Sequence, residues 1–249
     1  MAGHSHSANV AIRKGAQDKK RGKLFTKLAK QIIVAVKLGG ADEDMNPRLR
    51  LALRKARGQS VPKDTILRAI KKGLGDTDGD AYEEIMMEGY GPGGTAVYCE
   101  VLTDNRNRAA GEIRHAFTKG NGNLGTTGCV GYMFSRRGLI LLGAGDEDEV
   151  MMAALEAGAE DVEALEEGGF EVLCDPADCE TVADAVKEAG LEVVSDDVLW
   201  IPDTRVAVSG KEAMGLLRML DNLDDCDDIQ KVHHNADIDP AAIAKFSAS

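Results

Sequence analysis

Eight cations fall within eighteen residues near the start of the chain: Arg13, Lys14, Lys19, Lys20, Arg21, Lys23, Lys27 and Lys30. Asp18 is the single acid among the first 40 residues. Lysine and arginine at this density neutralise phosphates, so the segment reads as a flexible cationic arm leading into a basic helix that meets a polyanion. A second pair, Arg106 and Arg108, lies in the run Thr103-Asp104-Asn105-Arg106-Asn107-Arg108 at a strand-to-helix junction. Thr, Asp and Asn are ordinary caps for exposed helix N–H groups. Cations at the same end oppose the helix dipole, which points to an anion that Arg106 and Arg108 are there to meet.

Other runs invite chemistry and lack its context. Gly89-Tyr90-Gly91-Pro92-Gly93-Gly94 has the glycines of a phosphate loop, but it precedes a strand and no Lys-Ser or Lys-Thr follows, so nucleotide binding is not expected. Asp224-Asp225-Cys226-Asp227-Asp228 invites a magnesium site, but the D-x-D-x-D-G loop and its terminal glutamate are missing, and the run reads as a solvated helix-to-strand connection. His233 and His234 are neighbours and on a strand would face opposite sides. His4 and His6 supply too few ligands for a metal. The five cysteines are scattered without a Cys-x-x-Cys pair, which argues against a disulfide framework or a zinc site and for a reducing cytoplasm. No nucleophile elbow or metalloprotease helix occurs, so neither an enzyme nor a cofactor is expected.

The charge distribution gives these residues a setting. The whole chain carries −12, yet residues 1–75 hold 18 Lys and Arg against 5 Asp and Glu, and residues 76–249 hold 12 against 37. A +13 module is joined to a −25 body, and an acidic body would repel nucleic acid and turn the basic face toward it. The apolar run Gln31–Val36 is bounded by Lys30 and Lys37 and is far too short for a membrane span.

The elements that must position the cations follow from periodicity. Leu24, Leu28, Ile32 and Val36 recur at helical spacing over Lys23–Leu38, and Gly39-Gly40 ends the helix. Asn46-Pro47 reads as cap and first turn of a second helix, with Leu49, Leu53 and Ala56 inward. A third starts near Pro62, with Ile66 and Ile70 inward and Lys63, Arg68, Lys71 and Lys72 off that seam. After a polar hinge at Asp76–Asp80 the pattern turns strand-like. Thr95–Thr103, Gly128–Phe134, Thr204–Val208 and Ile229–Val232 read as strands, with helices over Asn105–Lys119 and Lys211–Leu223. Between them, residues 136–203 spell a complete βαββαβ unit. The expected architecture is therefore α+β: a basic helical domain (1–80) followed by two ferredoxin-like αβ domains, one whose βαβ halves 81–135 and 204–249 join as a βαββαβ unit, and one (136–203) inserted into it.

The residues also resemble a family. Met1-Ala-Gly-His-Ser5, the Ala16–Lys27 stretch AQDKKRGKLFTK, Asn46–Arg50 (NPRLR), Ala69–Gly73 (AIKKG), Glu88–Gly94 (EGYGPGG), Leu102–Arg108 (LTDNRNR) and the closing VHHNADI are similar, in the same order, to the YebC/PmpR family. The resemblance implies a cytoplasmic protein of three domains, with a helical domain first and two αβ domains after it. Members are described as DNA-binding transcriptional regulators. They are also linked to translation, as ribosome-associated factors acting at proline runs and as a mitochondrial activator of a cytochrome oxidase subunit. The arm departs from the family pattern: His6-Ser7 stand where Lys-Trp is usual and Ala11-Ile12 where Lys-His is, removing two cations and an aromatic.

Residues and resemblance together point to a monomeric, non-enzymatic regulator whose partner is nucleic acid, DNA first and ribosomal RNA or the ribosome second. Protein-interaction modules are the competing class, because paired ferredoxin-like domains also serve as assembly platforms.

Overall fold

The structure is a computed structural model and describes residues 17–75, 82–165 and 168–248. The first three helices, α1 (Gln17–Gly39), α2 (Pro47–Gly58) and α3 (Lys63–Gly75), form one packed unit. Its core includes Leu28, Ile32, Val36, Leu49, Leu53 and Ala56 at the spacing read from the sequence, whereas Leu24, expected on the same seam, is exposed. Asn46 caps α2 by accepting from the Leu49 N–H at 3.0 Å, and its own amide donates to the carbonyls of Ala35 and Gly40 at 2.8 Å. One buried side chain thus ends α1, begins α2 and fixes the turn between them. Gly73 lets α3 cross α1 closely, since a Cβ there would lie 2.7 Å from Val36 Cβ.

The rest of the chain contains β1 (Glu83–Tyr90), β2 (Ala96–Thr103), α4 (Arg106–Lys119), β3 (Asn123–Leu124), β4 (Phe134–Leu142), α5 (Glu147–Glu156), β5 (Asp161–Ala164), β6 (Phe170–Cys174), α6 (Cys179–Glu188), β7 (Val193–Pro202), β8 (Val206–Val208), α7 (Gly210–Asp224), β9 (Ile229–His234), β10 (Ala236–Ile238) and α8 (Pro240–Ser247). From β4 to β7 the order is βαββαβ, and the antiparallel sheet runs β5-β6-β4-β7. That is the ferredoxin-like arrangement read from the sequence. Ile140, Leu142, Phe170, Val172, Val182 and Val186 fill its core against α5 and α6.

The other αβ unit has a sheet ordered β3-β1-β2-β9, with β8 and β10 paired separately and in parallel. Here the expected strands differ from the observed ones. β1, not expected from the sequence, pairs with β2 along eight residues, and β8 lies outside this sheet, while Gly128–Met133 is loop and a 3₁₀ turn. The cause is Glu88: its carboxylate accepts from the backbone N–H groups of Gly128, Val130 and Gly131 at 2.7–2.8 Å, so those donors are withdrawn from any ladder. Val97, Ile113, Phe117, Leu216, Leu217, Met219 and Ile229 form this unit's core between sheet and helices. Gly89 allows the Phe117 ring against β1, because a Cβ there would stand 2.6 Å from Phe117 Cε1. The glycine-rich turn after β1 is likewise packed, with Gly91 against Met219 and Leu216, and its role is structural. Tyr98 stacks on Phe134 at 5.5 Å and meets Trp200 edge-on at 5.3 Å, joining the two αβ units where β4 and β7 leave one for the other.

Candidate nucleic-acid interface

Lys23, Lys27 and Lys30 recur at i, i+4 and i+7 on α1 and therefore share one face of it. That face does not look outward. It lies on the acidic connection between α7 and β9. Lys23 Nζ donates to the Asp225 carbonyl at 2.9 Å and meets its carboxylate at 3.0 Å. Lys27 Nζ donates to the Asp224 carbonyl at 2.9 Å, and Lys30 Nζ to the Asp227 carbonyl at 2.9 Å and to Asp228 Oδ1 at 2.8 Å. The carbonyls involved belong to the end of α7 and the turn after it. α7 carries no basic residue in its last turn, so the lysines of α1 supply the cations that a helix C-terminus attracts.

Asp228 is the centre of this contact. Its Oδ2 accepts from Arg108 at 2.9 Å and from the Thr103 hydroxyl at 3.0 Å, while Oδ1 holds Lys30. Burial pulls this carboxyl upward, but the bonds from Lys30 and Arg108 outweigh it and hold it below the usual aspartate range. Arg108 is raised in turn by Asp228 and Asp104. The anion expected for Arg108 therefore exists within the chain itself. The four-aspartate run, read from the sequence as solvated, has its last member buried at 3% exposure, with five side-chain donors from three elements converging on it and its neighbours.

A second contact joins α2 to the βαββαβ unit. Arg54 reaches Asp196 at 2.6 Å and Glu180 at 3.3 Å, and Lys55 reaches Asp197 Oδ1 at 2.5 Å. Lys231 on β9 takes the other oxygen of Asp197 at 2.6 Å and donates to the Val198 carbonyl at 3.0 Å. Asp197 is thus shared by lysines from the helical unit and from the first αβ unit while itself belonging to the second. Burial raises it, Lys231 and Lys55 lower it further, and it ends below its ordinary range. Nearby, within the first αβ unit, Glu100 on β2 bonds the buried His233 on β9 at 2.8 Å. Arg48 pairs with Glu84 at the edge of β1. Nothing in the spacing of the sequence marked Arg54, Lys55, Asp196 or Asp197 as partners, since they lie about 140 residues apart. The acidic body meets the basic unit directly, where repulsion of an external polyanion had been its expected role.

The remaining predicted residues separate into three groups. Arg13 and Lys14 lie outside the described residues, and Lys19 and Lys20 are placed on α1 by their backbone alone. Arg21 is exposed, with its guanidinium 5.6 Å above the Phe25 ring. Arg106 is exposed on the first turn of α4, beside the occupied Arg108. The cations of α3, Arg68, Lys71 and Lys72, are also exposed and have no ion pair among the described residues.

The loop held by Glu88 presents Tyr132 at 75% exposure, next to Tyr90 at 40%, whose hydroxyl donates to the Cys129 carbonyl at 2.9 Å. Among the described residues no group of three or more His, Cys, Asp or Glu is arranged to hold a metal, and no helix is long and apolar enough to cross a membrane. Burial raises the thiols of Cys174 and Cys226, to about 12 and about 11.

The chain resembles known proteins along nearly its whole length. A protein named probable transcriptional regulatory protein from Desulforapulum autotrophicum is 52% identical over 241 residues, 96% of this chain and 97% of the relative. The probable transcriptional regulatory protein YebC of Salmonella arizonae is 51% identical over 238 residues, 96% of each chain. A relative of the same description from Trichlorobacter lovleyi is 50% identical over 247 residues, 99% of this chain and 100% of its own. The crystal structure of a conserved hypothetical protein from Aquifex aeolicus shares the fold with a TM-score of 0.80 at 41% identity, covering 89% of this chain and 92% of that one. Residues 5–76 match the model of the TACO1/YebC N-terminal domain and residues 82–236 that of the second and third domains. The chain belongs to the TACO1/YebC family.

Proposed function

We propose that the protein is a non-enzymatic regulator of gene expression that binds nucleic acid through its basic helical domain (1–80) and acts in the cytoplasm as a DNA-binding transcriptional regulator. In this reading 81–135 with 204–249, and the inserted 136–203, form an acidic body that holds the helical domain in a fixed pose. The observation that carries it is the surplus of cations in residues 1–75, of which several stay exposed after the body has taken its share. The names of the relatives support transcription as the setting. Arg13, Lys14, Lys19, Lys20, Arg21 and Arg106 are the proposed phosphate contacts outside the acidic junction, and Lys23, Lys27, Lys30 and Arg108 become available only where that junction opens.

A second reading, binding to ribosomal RNA, draws support from Tyr90 at the end of β1 and Tyr132 on the loop that Glu88 holds, because exposed aromatic rings suit unpaired bases. Crosslinking in cells followed by sequencing of bound DNA and bound RNA separates the two. Recovery dominated by chromosomal DNA supports the first reading, recovery dominated by ribosomal RNA the second, and recovery of neither ends both.

A further inference from the structure

The helical unit carries three cationic faces, and among the described residues two of them are occupied by the αβ units. On α1, Lys23, Lys27 and Lys30 are occupied by the Asp224–Asp228 turn. On α2, Arg54 and Lys55 are occupied by Asp196 and Asp197. On the other side of α1, Ala29 and Ile33 form with Thr65, Arg68, Ala69 and Lys72 of α3 a shallow cavity of about 200 Å³. Arg68 and Lys72 are one turn apart on α3, about 6 Å in rise, and stand at its wall. Lys71 is beside them on the exposed surface. Phe25 and Arg21 lie one and two turns before Ala29 on the same side of α1 and extend the groove with a cation stacked on a ring.

We propose that this groove between α1 and α3 is the surface that takes the backbone of a DNA strand, with phosphates on Arg68, Lys71 and Lys72 and a sugar on the floor of Ala29, Ile33 and Ala69. This rests on the reading of the protein as nucleic-acid binding and says where on the domain that binding occurs. Charge complementarity names a polyanion, and Arg68 and Lys72, one turn apart along the α3 wall of an apolar floor, offer successive cations to the phosphates of one strand. The floor of Ala29, Ile33 and Ala69 is apolar, with the Thr65 hydroxyl at its edge, and the choice of DNA over RNA follows the reading of the protein as a DNA-binding regulator. The same geometry explains why α3 needs small residues: Ala69 opens the groove while Gly73 brings the helices together just beyond it.

The test measures binding of the full chain to a fluorescein-labelled DNA duplex of mixed sequence, and to the RNA duplex of the same sequence, over a series of salt concentrations. Replacing three phosphate contacts in R68A/K71A/K72A lowers the slope of log affinity against log salt by roughly 2 to 3 and weakens binding about tenfold or more at low salt. The matched variant K187A/K211A/K245A, which removes three exposed lysines of the αβ units, leaves that slope as in the parent, and R68K/K71R/K72R, which keeps the charges, retains the affinity. Wild-type affinity in R68A/K71A/K72A, with loss in K23A/K27A/K30A, would overturn the proposal and show instead that DNA displaces the acidic turn. RNA bound as tightly as DNA through the same groove overturns the choice of DNA. Failure of the parent chain to bind either duplex removes the functional reading itself, an outcome separate from failure of the groove alone.

Discussion

Lys30 and Asp228 meet at 2.8 Å where the most basic helix of the chain rests on its most acidic turn, with side-chain exposures of 16% and 4%. The carboxylate that Lys30 holds is the same one that Arg108 and Thr103 hold from the β2–α4 junction. A single side chain therefore ties the helical unit to the sheet that follows it. No hydrophobic cluster of buried residues runs between these two units among the described residues, so the orientation of one against the other depends on this ion pair and its neighbours.

Replacing Asp228 tests that dependence. Asp228→Ala leaves Lys30, Arg108 and Thr103 facing a gap, and loss of charge-assisted bonds of this kind costs about 2 kcal/mol. Chemical denaturation should give a lower midpoint, and limited proteolysis should cut sooner between the helical unit and β1. Asp228→Asn keeps the shape and loses the charge, so its midpoint should lie between those of the parent and the alanine variant. Equal stability of all three proteins would mean that the contact contributes nothing.

Acid should act on the same contacts. Asp228, Asp197 and Glu88 are each held below the ordinary carboxylate range although burial alone would raise them. A carboxyl whose folded pKa is depressed contributes stability above its unfolded pKa, which is about 4 for these groups, and loses it as pH falls through the lower folded value. The melting temperature should therefore hold steady from neutral pH down to about 5 and fall steeply below about 4. In Asp228→Asn that fall should be shallower, because one of the depressed groups is gone.

The fold was legible where pattern and chemistry agreed. Leu49, Leu53 and Ala56 are buried at helical spacing behind an Asn46 cap, and the βαββαβ order from β4 to β7 has a run of residues for every element. It was not legible where a side chain far away reassigned a segment. Gly128–Met133 has the composition of a strand, and only the reach of Glu88 across forty residues makes it a loop. The cations were legible as a set, and their partners were not. Periodicity tells which face of α1 Lys23, Lys27 and Lys30 share, but what that face rests on is decided by tertiary packing between residues some 200 apart.

Lys231 should behave as the keystone of the second junction. It is nearly enclosed, and burial lowers its pKa while Asp197 opposes that shift. Lys231→Met fills the space without the charge, leaves the Val198 carbonyl without this donor and leaves Asp197 with Lys55 alone, a loss of about 2 to 3 kcal/mol. Lys55→Met should cost less, since that lysine is more exposed. The two effects should be non-additive in a double-mutant cycle, because both lysines act on one carboxylate. Strict additivity would show that Asp197 couples nothing across the junction.

Glu88 makes the sharpest local prediction, because its two oxygens have unequal tasks. Oε1 accepts from Gly128, while Oε2 accepts from both Val130 and Gly131. Glutamine has one acceptor oxygen and one amide donor. In Glu88→Gln the oxygen that satisfies Val130 and Gly131 leaves the NH2 group pointing at the Gly128 N–H, donor against donor. Hydrogen exchange should then accelerate at Gly128 and change least at Val130. In Glu88→Ala all three donors are freed, exchange should accelerate at each, and stability should fall by about 1 to 3 kcal/mol. The loop also carries Tyr132, so RNA affinity in that variant reports on the second functional reading. A loop whose exchange is the same in the parent and both variants would mean that the carboxylate does not hold it.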